Sequence, residues 1–186
     1  MNLASTIYRH TVSTINKAFS FFRIVHLKLA YPNLTIDFST RIERNCKVEC
    51  DNGARMVINK SYISSGTYLS AKHSGEIIIK NSFIGRNSVI VGVDKIEIES
   101  NCLIAEMVVI RDQDHIYNNN STLIKKQGVT SSPILIKENV WLANKVTVLK
   151  GVTIGEHTVI GAHALVNKSI DSNSVAVGIP AKVVKE

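Results

Sequence analysis

The sequence predicts an all-β chain wound into a parallel β-helix, and three observations carry that reading. Aliphatic residues return every six positions over long stretches, small or β-branched residues stand at fixed offsets from them, and aromatics make up only 6% of a chain rich in Ile and Val. With 186 residues, 45% of them hydrophobic, the chain can bury one substantial core and is short for two ordinary domains.

The clearest register runs through Ile136, Leu142, Val148, Ile154, Ile160 and Val166. Val146, Val152, Thr158 and Ala164 follow four positions after the corresponding aliphatics. The same rhythm is read at Ile78, Ile84 and Ile90, at Ile98, Ile104 and Ile110 after a two-residue slip, and more weakly at Ile36, Ile42, Val48, Ile63 and Leu69. An amphipathic helix repeats every three or four residues and a half-buried strand every two. Six fits a coil in which each short strand sends one aliphatic inward and then turns a corner, so that stacked coils bury a continuous column. Gly85, Ala105, Ala143, Gly155 and Gly161 directly follow inward aliphatics, which suits a tight corner with little side chain to obstruct it.

Residues 1–35 read as an N-terminal helical segment and residues 36–186 as the β-helix domain. Tyr8, Val12, Ile15, Phe19 and Phe22 recur at helical spacing with Arg9, Ser13, Asn16, Lys17 and Ser20 between them, predicting an amphipathic helix that ends before Pro32. Its apolar stripe either caps the open end of the solenoid or, with Phe beside Lys and Arg, makes a weak contact with an anionic membrane surface. From Arg111 to Pro133 the rhythm stops, predicting an extended loop at 111–133 between two registered coils. Asp112-Gln113-Asp114-His115 stand at its start. Long excursions from a rigid scaffold are commonly functional. Gly178-Ile179-Pro180 breaks the last coil and leaves residues 181–186 as a short basic tail.

The net charge is +7, of which residues 1–30 supply +4 through Arg9, Lys17, Arg23 and Lys28 with no acid. No nucleic-acid motif accompanies that charge, so no nucleic-acid partner is expected. Cys46, Cys50 and Cys102 form neither a disulfide framework nor a zinc-ligand pattern and are read as buried thiols, with no metal expected. The chain shows no apolar run of membrane-span length and no secretory leader, which places it in the cytoplasm or peripherally at the inner face of the membrane.

Residues Val140 to Glu186 resemble the C-terminal signature of the hexapeptide-repeat acyltransferases, above all the galactoside and maltose O-acetyltransferases and the O-acetyltransferases of surface polysaccharides. The matching text is V-W-L-A-N-K-V-T-V-L-K-G-V-T-I-G, then V-I-G-A, then V-A-V-G-I-P-A-K-V-V-K. The resemblance implies a left-handed β-helix of hexapeptide repeats, a homotrimer, and acetyl-CoA as co-substrate lying between adjacent subunits. It implies His115 as the catalytic base, and imidazole is the side chain best matched to take a hydroxyl proton near pH 7. Asp112 or Asp114 could orient that imidazole as the carboxylate of a catalytic triad does, or simply satisfy an Asp-rich turn. Trp141 matches a tryptophan close to the thioester and acceptor. Ala143, Asn144 and Ala162 fall along the pantetheine arm, and Lys168, Lys182 and Lys185 fall where basic groups meet the nucleotide phosphates.

Two departures bear on the acceptor. Where the galactoside and maltose enzymes carry an acceptor-contacting asparagine on an earlier coil, this chain reads Val89-Ile90-Val91-Gly92, and its first 35 residues differ from theirs. The expectation is therefore O-acetylation of a sugar in a capsular, lipopolysaccharide or related glycan. Alternatives are a xenobiotic acetyltransferase of the streptogramin type, a small-sugar acetyltransferase, and a non-catalytic β-helix that binds or scaffolds. A zinc-binding trio of the carbonic-anhydrase kind would have to come from His115, His157 and His163, which lack the expected neighbourhood.

Overall fold

The structure, a computed structural model, describes residues 3–185; of the side chains before Thr14 only that of Thr11 is described. A single helix, α1 (Leu3–Ala30), precedes short strands that wind through three parallel sheets in turn. The first face stacks six strands from Leu34–Ile36 to Thr153–Ile154, and the third stacks six from Lys47–Cys50 to Leu165–Val166. The second face runs from Arg41–Ile42 to Val175–Val177 and ends on an antiparallel strand, Lys182–Lys185. The winding is that of a left-handed parallel β-helix.

A column of buried side chains lines the inside of the second and third faces. On the second face it reads Ile42, Ile63, Ile84, Ile104, Leu142, Ile160 and Ala176, each paired in register with the next coil. On the third it reads Val48, Leu69, Ile90, Ile110, Val148 and Val166. Burying each Ile or Leu contributes roughly 1.5–3 kcal/mol over leaving it exposed. Corner hydroxyls tie adjacent coils together: Thr67 Oγ1 donates to the Gly85 carbonyl and Ser88 Oγ to that of Ala105, each at 3.1 Å.

The first face keeps the expected register at Ile36, Ile98, Ile136 and Ile154 and departs from it at Ile78. Its upstream strands are longer, and Glu76–Lys80 sends both Ile77 and Ile79 inward while Ile78 faces out. A five-residue strand alternates its side chains, so the neighbours of an outward residue are the buried ones. The corners also work differently from the sequence reading. The left-handed residue stands three positions after the inward aliphatic, at Asn87, Met107, Asn139, Lys145, His157 and His163 among others. Asparagine is tolerated there because its short polar side chain can bond locally. Gly85 and Gly155 serve close approach instead. A Cβ on Gly85 would lie 2.4 Å from the Ala105 carbonyl carbon, and one on Gly155 would lie 2.4 Å from the Ser172 nitrogen.

Helix α1 caps the solenoid with a face other than the predicted stripe. Ile24 and Leu27 are buried in the common core, Ser20 Oγ accepts from the Ile42 amide at 2.9 Å, and Arg23 donates to the Ile42 carbonyl. Ile15, Phe19 and Phe22 are exposed, while the side chains of Tyr8, Arg9, Val12 and Ser13 lie outside the described residues. The helix is apolar on more than one side, and the coil's free backbone groups select the side that can also bond to them. Cys50 and Cys102 are buried and Cys46 is half-buried, and burial pushes all three thiols up. The basic tail is in fact a strand, Lys182–Lys185, turned back onto Val175–Val177 after Gly178 at φ 103°.

Candidate functional site

The third-face strand Val109–Arg111 ends where the chain leaves the coil, and the coil resumes at Ile134–Ile136. The excursion is an arm rather than an open loop. Gln113–His115 pairs antiparallel with Val129–Ser131, placing His115 opposite Val129. At its tip a 3-10 turn, Ile124–Lys126, is tied by Gln127, which donates to the Asn119 and Thr122 carbonyls at 2.9 and 2.7 Å.

Asp112 fixes the root. It is fully buried, and its carboxylate accepts from the Val93 amide at 3.0 Å and the Asp94 amide at 2.9 Å, both on the preceding coil. Its carbonyl accepts from Ser132 at 2.9 Å, closing the base of the arm. Burial pushes the Asp112 carboxyl above its ordinary value, against the pull of those two amides. Gly92 adjoins it: a Cβ there would stand 3.2 Å from Ile77 Cγ1 and 3.4 Å from Asp112 Oδ2.

His115 is exposed, and among the described residues its imidazole has no hydrogen-bond partner. Neither aspartate reaches it within one chain. Asp112 is committed to backbone amides, and Asp114 forms an ion pair with Lys150 at 3.2 Å. Gln113 Oε1, between them, is buried without a donor. Sequence reasoning did not find Lys150, Val93, Asp94 or Gly92. Only the glycine left a trace, in the Val89–Gly92 departure noted above.

The remaining predicted residues stand elsewhere on the coil. Trp141 faces outward from the second face, 48% exposed, between Leu103 and Val159. Ala143, Asn144 and Ala162 occupy successive coils of the corner that follows, where the Ala143 amide donates to Ile160 and the His163 amide to Asn144 at 2.9 and 3.0 Å. The structure thus brings these three into one ladder beside Trp141. It does not bring His115 to them, because the arm leaves from the far end of the third face, one corner further on. Lys168 is exposed beyond Leu165–Val166, and Lys182 and Lys185 are exposed on the final strand. His115, His157 and His163 belong to three different corners, and no metal-ligating cluster of three occurs among the described residues.

Residues 133–168 match the family described as bacterial transferase hexapeptide (six repeats). Those residues carry the hexapeptide repeat of that family. A probable acetyltransferase of Mycobacterium tuberculosis is 32% identical over 167 residues, covering 89% of this chain and 56% of that protein. A putative lipopolysaccharide biosynthesis O-acetyl transferase of Escherichia coli is 35% identical over 104 residues, covering 52% of this chain and 53% of its own length. The chain thus spans just over half the length of both relatives. Among solved structures, the N-acyltransferase AntD of Bacillus cereus, in complex with dTDP and 3-hydroxybutyryl-CoA, superposes with a TM-score of 0.74 at 21% identity, covering 89% of each chain. That likeness is one of fold.

Proposed function

We propose that this hexapeptide-repeat protein is an acetyl-CoA-dependent O-acetyltransferase acting on a sugar hydroxyl of a surface glycan, with His115 as general base. The observation that carries the reading is an exposed, unpartnered imidazole held on a paired arm, in a chain whose relatives are named acetyltransferases. His115 takes the proton as the acceptor oxygen bonds to the acetyl carbon and the carbon–sulfur bond to coenzyme A breaks. The same proton then passes to the departing thiolate. Asp112 acts as a positioning residue, anchoring the arm that bears the base.

The protein works as a homotrimer in this reading. His115 and the ladder of Trp141, Ala143, Asn144 and Ala162 stand at different corners of one chain, so one subunit's arm must reach the ladder of the next to complete the site. The arm's exposed Tyr117, Leu123, Ile124 and Val129 are the apolar surface for that contact. Lys168, Lys182 and Lys185 are the groups for the nucleotide phosphates, and residues 1–30, basic and bearing exposed phenylalanines, are the segment that would touch a membrane surface.

The test is thiol release from acetyl-CoA in the presence of a panel of glycans, comparing wild type with His115→Ala. Release that needs no acceptor, or that survives in the variant, overturns the assignment. Replacing Lys168, Lys182 and Lys185 together by Ala should weaken coenzyme binding in calorimetry and remove most of its salt dependence, since contacts to exposed lysines are screened.

A further inference from the structure

Beneath α1, where it crosses the first coils, lies a cleft of about 730 Å³ whose charged lining is Arg23, Arg41, Arg44, Arg86 and Glu43. The carboxylate is already engaged, accepting from the Tyr62 hydroxyl and from the Ser65 amide at 2.9 Å. Burial would raise its pKa, but those bonds together with Arg86 and Arg41 hold it below the ordinary carboxylate range. Four guanidinium groups therefore line one cleft with one carboxylate, and of these Arg41 also lies 5.7 Å from the Tyr62 ring centre. Arg23 spends a donor on the Ile42 carbonyl, and its fork has further N–H groups to offer. Glu43 offsets only part of that positive charge, and a further anion entering the cleft would relieve the remaining repulsion. Planar guanidinium forks are the side chains best suited to bind phosphate bidentately.

The rim of the cleft says where that phosphate comes from. Phe19 lines it and is 62% exposed, and Phe22, one turn on, is 67% exposed. Phe21 and Phe38 make a second exposed aromatic pair with centroids 5.5 Å apart, and Lys28 Nζ lies 4.5 Å from the Phe38 ring centre. Exposed phenylalanines interleaved with Lys and Arg on one helix are the pattern of a segment lying in a membrane interface. A free phosphate would gain nothing from that apolar rim, whereas a lipid supplies both parts. None of the described helices is long and apolar enough to cross a membrane, so the contact is with the surface.

We propose that the cleft between α1 and the first coils binds the phosphate of an anionic lipid headgroup, while the exposed phenylalanines of α1 enter the adjacent apolar layer. The proposal rests on the reading of residues 1–30 as a surface contact and is independent of the acyl-transfer chemistry. The test uses the full chain with vesicles of phosphatidylcholine alone or mixed with phosphatidylglycerol, and in parallel inorganic pyrophosphate by calorimetry. Wild type should cosediment with the anionic vesicles only and should release as salt is raised. Arg44→Gln/Arg86→Gln should weaken vesicle binding roughly tenfold or more, each arginine near an anionic surface contributing about 1 kcal/mol. Phe19→Ser/Phe22→Ser should abolish binding with oligomeric state and melting temperature unchanged.

Equal binding to both vesicle types, or to neither, overturns the proposal. So does arginine-dependent binding of pyrophosphate without vesicle binding, which would mark a water-borne ligand. A phenylalanine variant that alters oligomeric state instead of vesicle binding would show that a second copy covers this face. Salt release of the unmodified protein keeps the test valid should a variant fail to fold. His115→Ala should leave vesicle binding intact and the arginine variant should leave thiol release intact, so failure of one reading is separable from failure of the other.

Discussion

Ile104 and His115 are close in sequence and sit in opposite environments. Ile104 has no exposed surface, is paired in register with Ile84 and Leu142, and belongs to a column that every coil extends. His115 stands on an arm in which Asp112 is the sole buried residue between 112 and 132. The coils are held by apolar burial repeated from turn to turn. The arm is held by a few directed bonds at its root, namely Val93 and Asp94 to the Asp112 carboxylate, Ser132 to its carbonyl, and Gly151 to Ser132 at 3.1 Å. Stability and chemistry are thereby separated, and substitutions in the two regions should have separable consequences.

The largest effect expected is on rate alone. His115→Ala should lower turnover on the order of a hundred- to ten-thousandfold, the range of general-base catalysis. Melting temperature and coenzyme affinity should stay near wild type, because no coil packs on this side chain. The coil counterpart is Ile104→Ala, which should cost about 2–5 kcal/mol of unfolding free energy. Turnover per folded molecule should be nearly unchanged. If His115→Ala melts the protein or Ile104→Ala slows the folded enzyme, the separation of coil from arm is false.

Asp112→Ala tests the joint between the two regions. Removing a buried acceptor leaves the Val93 and Asp94 amides unsatisfied, which should cost about 1–3 kcal/mol. Hydrogen exchange should then quicken in residues 113–131 ahead of the coils. The pH dependence has a definite sign. Because burial raises this carboxyl above 3.8, the folded chain holds the proton more tightly than the unfolded chain. Its stabilising share is therefore full below that value and is lost as pH rises through the raised one. The deficit of the alanine variant should narrow across that window in denaturant titrations.

The same contrast explains what the sequence could reveal. All three inward columns were legible because a residue buried on every coil repeats at fixed spacing, as from Leu142 through Ile154 to Val166. Ile78 misled because its strand has two inward positions, so a period of six can start one residue off. The arm's limits were legible from the loss of rhythm at Arg111 and Pro133. Its anchorage was not, since Asp112 finds its partners on the previous coil, and pairing between coils is set by register rather than by local pattern. For α1, periodicity marked Phe19 and Phe22 as strongly as a core face. Only the backbone groups of Ile42, bound to Ser20 and Arg23, decide that the other side packs.

The smallest effect expected is that of Asp114→Asn. Asp114 pairs with Lys150 at 3.2 Å, with side-chain exposures of 48% and 25%. Ion pairs this open to water contribute about 0–1 kcal/mol, because solvent screens them and two side chains must be ordered to form them. Asparagine keeps an acceptor for the ammonium group and the length of the side chain, so the strand Gln113–His115 should keep its pairing with Val129–Ser131. Melting should shift within the range of an ordinary surface substitution, about 0.5 kcal/mol, and turnover should fall no more than about threefold, the rate equivalent of under 1 kcal/mol. A turnover loss approaching that of His115→Ala, with melting unchanged, would mean that Asp114 leaves Lys150 to orient the imidazole during catalysis. Comparison with Lys150→Ala separates the two cases: both variants should be equally mild if the pair only steadies the arm, whereas Asp114→Asn alone should lose turnover if Asp114 serves His115 directly.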